Sequence, residues 1–347
     1  MVIVNQQQNA PKSILLMYGG GGNEHEVSRT SQRYLRETLN KNKNYQIITV
    51  EVKKNRDWTF SDIDGKEKIC FLQQQSLVVP DLKLTQKIDY CIPCFHGHPG
   101  ETGHIQGLLT LMGIPFLGCD LSTSSNCMNK ITTKLWLQLF GVPVVPFEVL
   151  TDHSSASKLK AKKFFETHKD VFIKSSSEGS SVGVYHVTQM TELEDKIAQA
   201  FQYSQYVLLE TKVSGRELEV STFEFKGKFH VTHPGEIICP SGFYSYGEKY
   251  DSQSKTRTEI KAGNLSEGDV TSLKSLAEQT YQILKIKDLA RIDFFMVQES
   301  GKNKSIFVNE VNTFPGMTPI SLFPKMMIES GVTFYDFLCD RIDNSVR

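Results

Sequence analysis

The chain has 347 residues, more than one hydrophobic core usually organises, so two or three domains are expected. Lys plus Arg and Asp plus Glu stand at 39 each, and this net charge of zero argues against a nucleic-acid or polyanionic surface as the main partner while allowing a local basic cleft. The seven cysteines are odd in number and scattered through apolar stretches, and neither a signal-peptide pattern nor a membrane-length apolar run is present, so free thiols, a cytoplasmic location and no membrane partner are expected.

The first element is a short apolar strand over Ser13 to Tyr18, followed by Gly19 to Gly22 and a helical pattern from about Glu24 to Leu39. Strand, glycine turn and helix in that order begin an open parallel sheet. The glycine run lacks the third glycine of GxGxxG, so a dinucleotide fold of the usual kind is not signalled. Strands are expected at Tyr45 to Val52 and Asp89 to Phe95, and a helix at Ile105 to Met112 that stops at Gly113. Cys91 and Cys94 form a CxxC, but no second pair completes a zinc site and the surrounding alternation reads as a buried strand, so both are expected to be core thiols. His96, His98 and His104 follow the end of that strand, where an α/β sheet places its substrates. The first domain is expected to close near Gly118.

A single helix is expected from Leu121 to Phe140, ending at Gly141-Val142-Pro143. After it come a strand near Val144 to Leu150, a helix near Ser157 to Thr167, a strand at Val171 to Ser175 and a Ser/Gly loop to Gly183. A strand to Val187, a helix at Thr191 to Tyr203 and a strand at Tyr206 to Glu210 complete the unit. The loop from Ser176 to Gly183 is rich in backbone N–H donors and follows Lys174, a combination that suits the wrapping of phosphates, although no Walker sequence is present. Strands at Glu217 to Phe225 and Lys228 to Ile238 lead to a polar aromatic loop from Cys239 to Thr256. Its Tyr244, Tyr246, Lys249 and Tyr250 fit either an Ω-loop packed on its own rings or a lid over a reactive intermediate. A helix is expected at Ser266 to Ile286.

The stretch from Arg291 to Leu322 is the most informative. Asp293 interrupts an apolar run (Leu289, Ile292, Phe294 to Val297), and Glu310 and Asn312 interrupt a second (Ile306 to Val308, Val311), with Gly301-Lys302-Asn303-Lys304 between them. This predicts a hairpin. A turn centred on Lys302 and Asn303 would pair 293 with 312 and 295 with 310, and a period of two would put Asp293, Glu310 and Asn312 on one face. Two carboxylates and an amide oxygen are ligands that a hard divalent cation such as Mg2+ takes together with phosphate oxygens, so a metal–nucleotide site is expected there.

Several segments together resemble the D-alanine:D-alanine ligases of the ATP-grasp superfamily: EHEVS from Glu24, HGHPGETGHIQG from His96, MNKITTK from Met128, IKSSSEGSSVG, LLETKVSGRELEV, GEKY, RID and NEVNTFPGMTPISL. The resemblance covers most of the chain. It implies an α/β chain with a three-domain ATP-grasp fold, in which an N-terminal open parallel-sheet domain (1–118) is followed by two α+β domains (119–213 and 214–347) gripping ATP. The activity implied is ATP-dependent joining of two D-alanines through an acylphosphate, for peptidoglycan precursors. Carried over by match, Lys130, Lys174 and Ser181 face the phosphates, Glu210 and Val213 the adenine, and Glu217 the ribose. Asp293, Glu310 and Asn312 hold Mg2+, for which Mn2+ can substitute and of which two ions are expected. Glu24 takes the first substrate's ammonium, bridged through Ser180 to Tyr250 on the lid. His96 and Lys249 lie beside the substrates, Ser321 and Leu322 hold the second carboxylate, and Arg291 with the Gly316 N–H stabilises the oxyanion. Ser175, Ser177, Thr211-Lys212 and His98-Pro99 depart from the family pattern. The expected partners are ATP and D-alanine, with no nucleic acid; a homodimer is left open. The rival readings are a ligase of the same fold for another D-amino or D-hydroxy acid, and a catalytically silent ATP-binding module.

Overall fold

The computed structural model describes residues 10–22, 24–239, 256–298 and 304–345. The chain opens with β1 (Lys12–Gly19), whose Ile14, Leu15, Leu16 and Met17 are all fully buried, the continuous apolar run of a parallel strand covered on both faces. β1 pairs in parallel with β2 (Tyr45–Val52) and, on its other side, with β8 (Tyr90–Cys94). The sheet is parallel only across these three strands. β3 (Trp58–Ser61) and β4 (Glu67–Ile69) extend it antiparallel, in the order β4-β3-β2-β1-β8, and β5 (Phe71–Gln73), β6 (Ser76–Val79) and β7 (Leu84–Lys87) form a small antiparallel sheet of their own. Cys91 and Cys94 are fully buried in β8, and burial raises both thiols.

Helix α1 (His25–Leu39) lies on this sheet with a buried face that includes Ser28 and Ser31 as well as Leu35 and Leu39. The serines tie the helix start to the strand ends: Ser28 Oγ donates to Cys94 O at 2.5 Å and accepts from Gly19 N at 2.8 Å. Helix α2 (His104–Leu111) follows the histidine loop.

The expected long helix is two. α3 (Leu121–Met128) ends at Asn129, whose extended backbone (φ −84°, ψ 106°) begins α4 (Lys130–Leu139). The Asn129 side chain accepts from Ile131 N at 3.0 Å and Thr132 N at 3.1 Å, an N-cap that satisfies donors the new helix would otherwise leave unpaired. The break places Lys130 in a first turn, where its backbone N–H meets Ser176 O at 2.8 Å.

The second sheet is antiparallel, in the order β11 (Val184–Val187), β10 (Val171–Ser175), β12 (Val207–Thr211) and β9 (Phe147–Leu150). It packs on α5 (Ser155–His168) and α6 (Met190–Ala200) through Leu150, Phe165, Val171, Ile173, Leu193 and Ile197.

The third sheet runs β16 (Arg257–Glu259), β15 (Gly235–Ile238), β13 (Arg216–Phe225), β17 (Leu289–Gln298) and β18 (Lys304–Asn312), with β14 (Lys228–Val231) on β13. The strand expected over Lys228 to Ile238 is therefore broken, at a stretch containing Pro234, which has no N–H to give a ladder. One face of this sheet packs on α7 (Glu267–Ile283) and α4 through Leu273, Ala277 and Leu137. The other is fused to the first sheet by α8 (Leu322–Glu329) and α9 (Phe334–Asn344), where Phe223, Phe323 and Phe337 share one core with Ile14, Leu16 and Leu35.

Candidate active site

The β17–β18 hairpin does not keep the expected register. Asp293 pairs with Glu310 and Arg291 with Asn312, whereas Phe294 pairs with Val308, so Asn309 is an extra residue and β18 is bulged there. The bulge matters because side chains alternate faces. Up to Val308 the core side of the hairpin holds Ile306 and Val308, with Phe294 and Met296 opposite, and a straight ladder would send Glu310 to that side. The extra residue reverses the alternation, keeps Val311 in the core and turns Glu310 and Asn312 to the face of Arg291 and Asp293. The expectation that Asp293, Glu310 and Asn312 share one face holds, through a bulge instead of the expected pairing.

The neighbouring strand adds two acids. Glu219 sits opposite Asp293 and Glu217 opposite Phe295, so both share this face. Arg291 lies among them: its Nε is 2.7 Å from Asp293 Oδ1 and 3.2 Å from Glu219 Oε2, and its Nη2 donates to Asp293 Oδ2 at 2.9 Å. Burial opposes the guanidinium charge, and the Asp293 and Glu219 carboxylates outweigh it, holding the group well above its usual range. Asn312 Nδ2 donates to Asp293 Oδ2 at 3.0 Å.

The facing wall comes from the second sheet and α4. Lys174 on β10 bonds Glu210 on β12, and Lys130 Nζ donates to Glu178 O at 2.6 Å in the Ser/Gly loop. Ser180 (φ 49°) and Ser181 (φ 61°) both adopt the left-handed region in this loop, a conformation that costs non-glycine residues energy and is held here by its contacts. One cleft is lined by Lys130, Lys174, Ser180, Ser181, Glu210, Val213, Glu217, Arg291, Asp293 and Glu310. Ten of the residues named from sequence thus converge.

Glu24 joins this group through Ser180, whose Oγ donates to its Oε1 at 2.6 Å. The other oxygen, Oε2, sits beside the backbones of Gly97 and Gly179, at 3.2 and 3.5 Å from where a Cβ would stand. His96 is buried, with Nε2 2.9 Å from Ser31 Oγ, and burial lowers its pKa although Glu24 opposes this. Its ring lies 6.4 Å from that of Phe314, two residues before Gly316. Ser321 precedes α8 and its Oγ lies 2.7 Å from Thr318 Oγ1; Leu322 opens the helix. Among the described residues, Glu24, His96, Asn312, Gly316, Ser321 and Leu322 are not part of the cleft lining. Lys249 and Tyr250, with the rest of the expected lid from 240 to 255, lie outside the described residues.

Sequence reasoning missed three charged groups. Lys134, one turn after Lys130 on α4, lies 2.6 Å from Glu210, and the i,i+4 spacing within MNKITTK could have placed it on the same helix face. Glu219 could have been found from Glu217 by the strand period. Glu101, in the histidine loop, accepts from Gly97 N at 2.9 Å; its carboxyl is pushed up to about 7, mainly by burial and further by Glu24, against hydrogen bonds from the Gly97 and Phe314 backbones.

A partly parallel sheet domain followed by two antiparallel sheets that contribute facing walls to a lysine- and carboxylate-lined cleft defines an ATP-grasp enzyme. The family profile for the D-ala D-ala ligase N-terminus matches residues 13–119, and that for the D-ala D-ala ligase C-terminus matches residues 136–343. The chain belongs to the D-ala D-ala ligase family. It is 43% identical over 338 residues to the D-alanine–D-alanine ligase of Vibrio vulnificus, covering 96% of this chain and 99% of that one. The crystal structure of D-alanyl-alanine synthetase A from Vibrio cholerae superposes with a TM-score of 0.89 at 42% identity, over 97% of this chain and 98% of the other. A D-Ala:D-Ser ligase from Enterococcus faecalis superposes at 0.83 with 27% identity, over 97% and 100%.

Proposed function

We propose that this protein joins two D-alanines in an ATP-driven reaction, supplying the dipeptide for peptidoglycan precursors, with the roles below. Lys130, Lys174, Ser181 and the N–H groups of the Ser/Gly loop hold the phosphates, Glu210 and Val213 the adenine, and Glu217 the ribose. Glu24, fixed by Ser180, takes the ammonium of the first D-alanine beside His96. A carboxylate oxygen of that substrate attacks the γ-phosphorus and ADP leaves, giving an acylphosphate. Ser321 and Leu322 hold the carboxylate of the second D-alanine, whose amine nitrogen attacks the acyl carbon; phosphate leaves and the nitrogen gives up a proton. Arg291 and the Gly316 N–H serve the oxyanion of that step, where such donors contribute roughly 3 kcal/mol. Lys249 lies beside the substrates, and Tyr250, as part of the lid, excludes water from the intermediate.

Asp293, Glu310 and Asn312 offer oxygen donors from one face of the β17–β18 hairpin, the chemistry a hard cation takes, so they would hold Mg2+ or Mn2+, which when bound would neutralise phosphate charge. The domain division 1–118, 119–213 and 214–347 is part of the same proposal. So is a cytoplasmic location, supported by the free cysteines; among the described residues no helix is long and apolar enough to cross a membrane.

The observation that carries these roles is the meeting, in one cleft, of Lys130 and Lys174 from one wall with Arg291, Asp293 and Glu310 from the other, next to the Ser180–Glu24 bond. The test is phosphate release from ATP with D-alanine, D-serine, D-lactate and L-alanine, and identification of products by mass spectrometry. D-alanyl-D-alanine as the dominant product is expected. A mixed D-alanyl-D-serine or D-lactate product overturns the second-substrate assignment, and no amino-acid-dependent release overturns the enzyme reading.

A further inference from the structure

Glu210 is shared by two lysines. Lys134 Nζ lies 2.6 Å from its Oε1, and Lys174 bonds its Oε2. The inner pair is closed to solvent, with 1% of the Lys134 side chain and 2% of Glu210 exposed, whereas Lys174 is 13% exposed and lines the cleft. The three come from separate elements, α4, β10 and β12, so the arrangement is built by tertiary packing. Burial pushes Lys134 down and the charge of Lys174 adds to that, with Glu210 opposing; burial pushes Glu210 up, and the two lysines outweigh it and hold it below the usual carboxylate range. The carboxylate is therefore ionised, and two cations compete for it.

One cation would suffice to neutralise Glu210. If Lys174 were its sole partner, drawing Lys174 toward a phosphate would strand a buried carboxylate, which is strongly unfavourable. A second, permanent partner removes that obstacle. We propose that Lys134 is a positioning residue for the nucleotide: it holds Glu210 as its own partner and so releases Lys174 to an ATP phosphate. This rests on the reading of the cleft as the ATP site with Lys174 as a phosphate ligand. A purely structural role for Lys134 gives a different outcome, loss of stability without a selective effect on ATP.

The experiment compares wild type, Lys134→Met, Lys134→Arg, Lys174→Met, Glu210→Gln and the double variant Lys134→Met/Glu210→Gln, reading ATP affinity by calorimetry, KM for ATP and for D-alanine, and melting temperature. Lys134→Met should weaken ATP about tenfold or more, since Lys174 becomes the sole partner of Glu210, while KM for D-alanine shifts less than about twofold. Lys134→Arg should stay near wild type. The double variant should bind ATP to within about threefold of Glu210→Gln, the baseline that already carries any loss at the adenine contact, because no carboxylate remains to hold Lys174 back. ATP affinity within about twofold of wild type in Lys134→Met, or a double variant that binds ATP about tenfold or more weaker than Glu210→Gln, overturns the inference. Should Lys134→Met not fold, the double variant, which buries no orphan charge, is compared with Glu210→Gln: equal ATP affinity supports the inference and a tenfold deficit in the double overturns it. Lys174→Met separates the two levels. Unchanged ATP affinity there sinks the reading of the cleft itself, whereas a loss in Lys174→Met without one in Lys134→Met sinks only the role of Lys134.

Discussion

Ser180 Oγ donates to Glu24 Oε1 at 2.6 Å, a bond that spans 156 positions of sequence. It joins the start of α1 on the first sheet to the Ser/Gly loop of the second, so the residue proposed to hold the first substrate is fixed by the loop proposed to hold the nucleotide. Ser180→Ala keeps the loop's size and deletes one bond to a charged acceptor, worth roughly 1.5 to 3 kcal/mol. We expect KM for the first D-alanine to rise by about tenfold or more, with a smaller change in KM for ATP. Equal changes in the two constants would count against a specific hold on Glu24.

Glu310→Gln retains the shape of the side chain on β18 and removes one negative charge from the cleft. Turnover at saturating ATP, D-alanine and Mg2+ should fall by roughly 100-fold or more, while the melting temperature stays within a few degrees of wild type. A near wild-type rate would remove Glu310 from the metal assignment.

A Cβ on Gly316 would stand 2.8 Å from Ser321 Oγ, the hydroxyl that also contacts Thr318. The hydroxyl can turn away, so Gly316→Ala should fold. Its effect should fall on the second D-alanine, with KM raised roughly threefold to tenfold and KM for ATP unchanged. Steady-state kinetics at varied D-alanine reads both sites separately.

Glu101 gives a dependence on pH with a definite sign. Its carboxyl ionises near 4.5 in the open chain and at about 7 in the fold, raised chiefly by burial. The folded state keeps a proton that the unfolded state loses, so the stability contributed by this group is full below 4.5 and is lost as pH rises through about 7. Glu101→Gln retains an acceptor for Gly97 N and cannot ionise. Its melting temperature relative to wild type should therefore climb between pH 5 and pH 8; parallel profiles would show that Glu101 does not titrate in this range.

The carboxylates of the hairpin were legible because acids interrupting apolar strands break a strong pattern, and a period of two fixes which share a face. Their pairing was not, since register depends on the turn and on Asn309, neither of which changes composition. The spacing from Ile306 to Val308 to Val311, two and then three, does carry the bulge for a reader who looks for a slipped alternation. The break at Asn129 was hidden because the apolar positions Cys127 and Ile131 keep an i,i+4 spacing across it. Strands β3 to β7 are three or four residues long, too short to show a period. Helices α8 and α9 went unread, although Thr333 with Asp336 three residues on, whose N–H bonds the threonine hydroxyl at 3.1 Å, is a start signal. Lys134 escaped because a lone lysine on a helix reads as solvated, and only the fold brings Glu210 to it. Glu24 and Ser180 could be linked only through the resemblance.

Asn309 shows how little separates a working wall from a buried error. With that residue the strand's alternation slips by one; without it the same sequence would hand Glu310 to the hydrophobic core and Val311 to the cleft. The chemistry of this wall is therefore written as a count of residues as much as in their identities. Two chains of identical composition, differing only by where one residue sits relative to Val308, would be an enzyme and a misfolded strand.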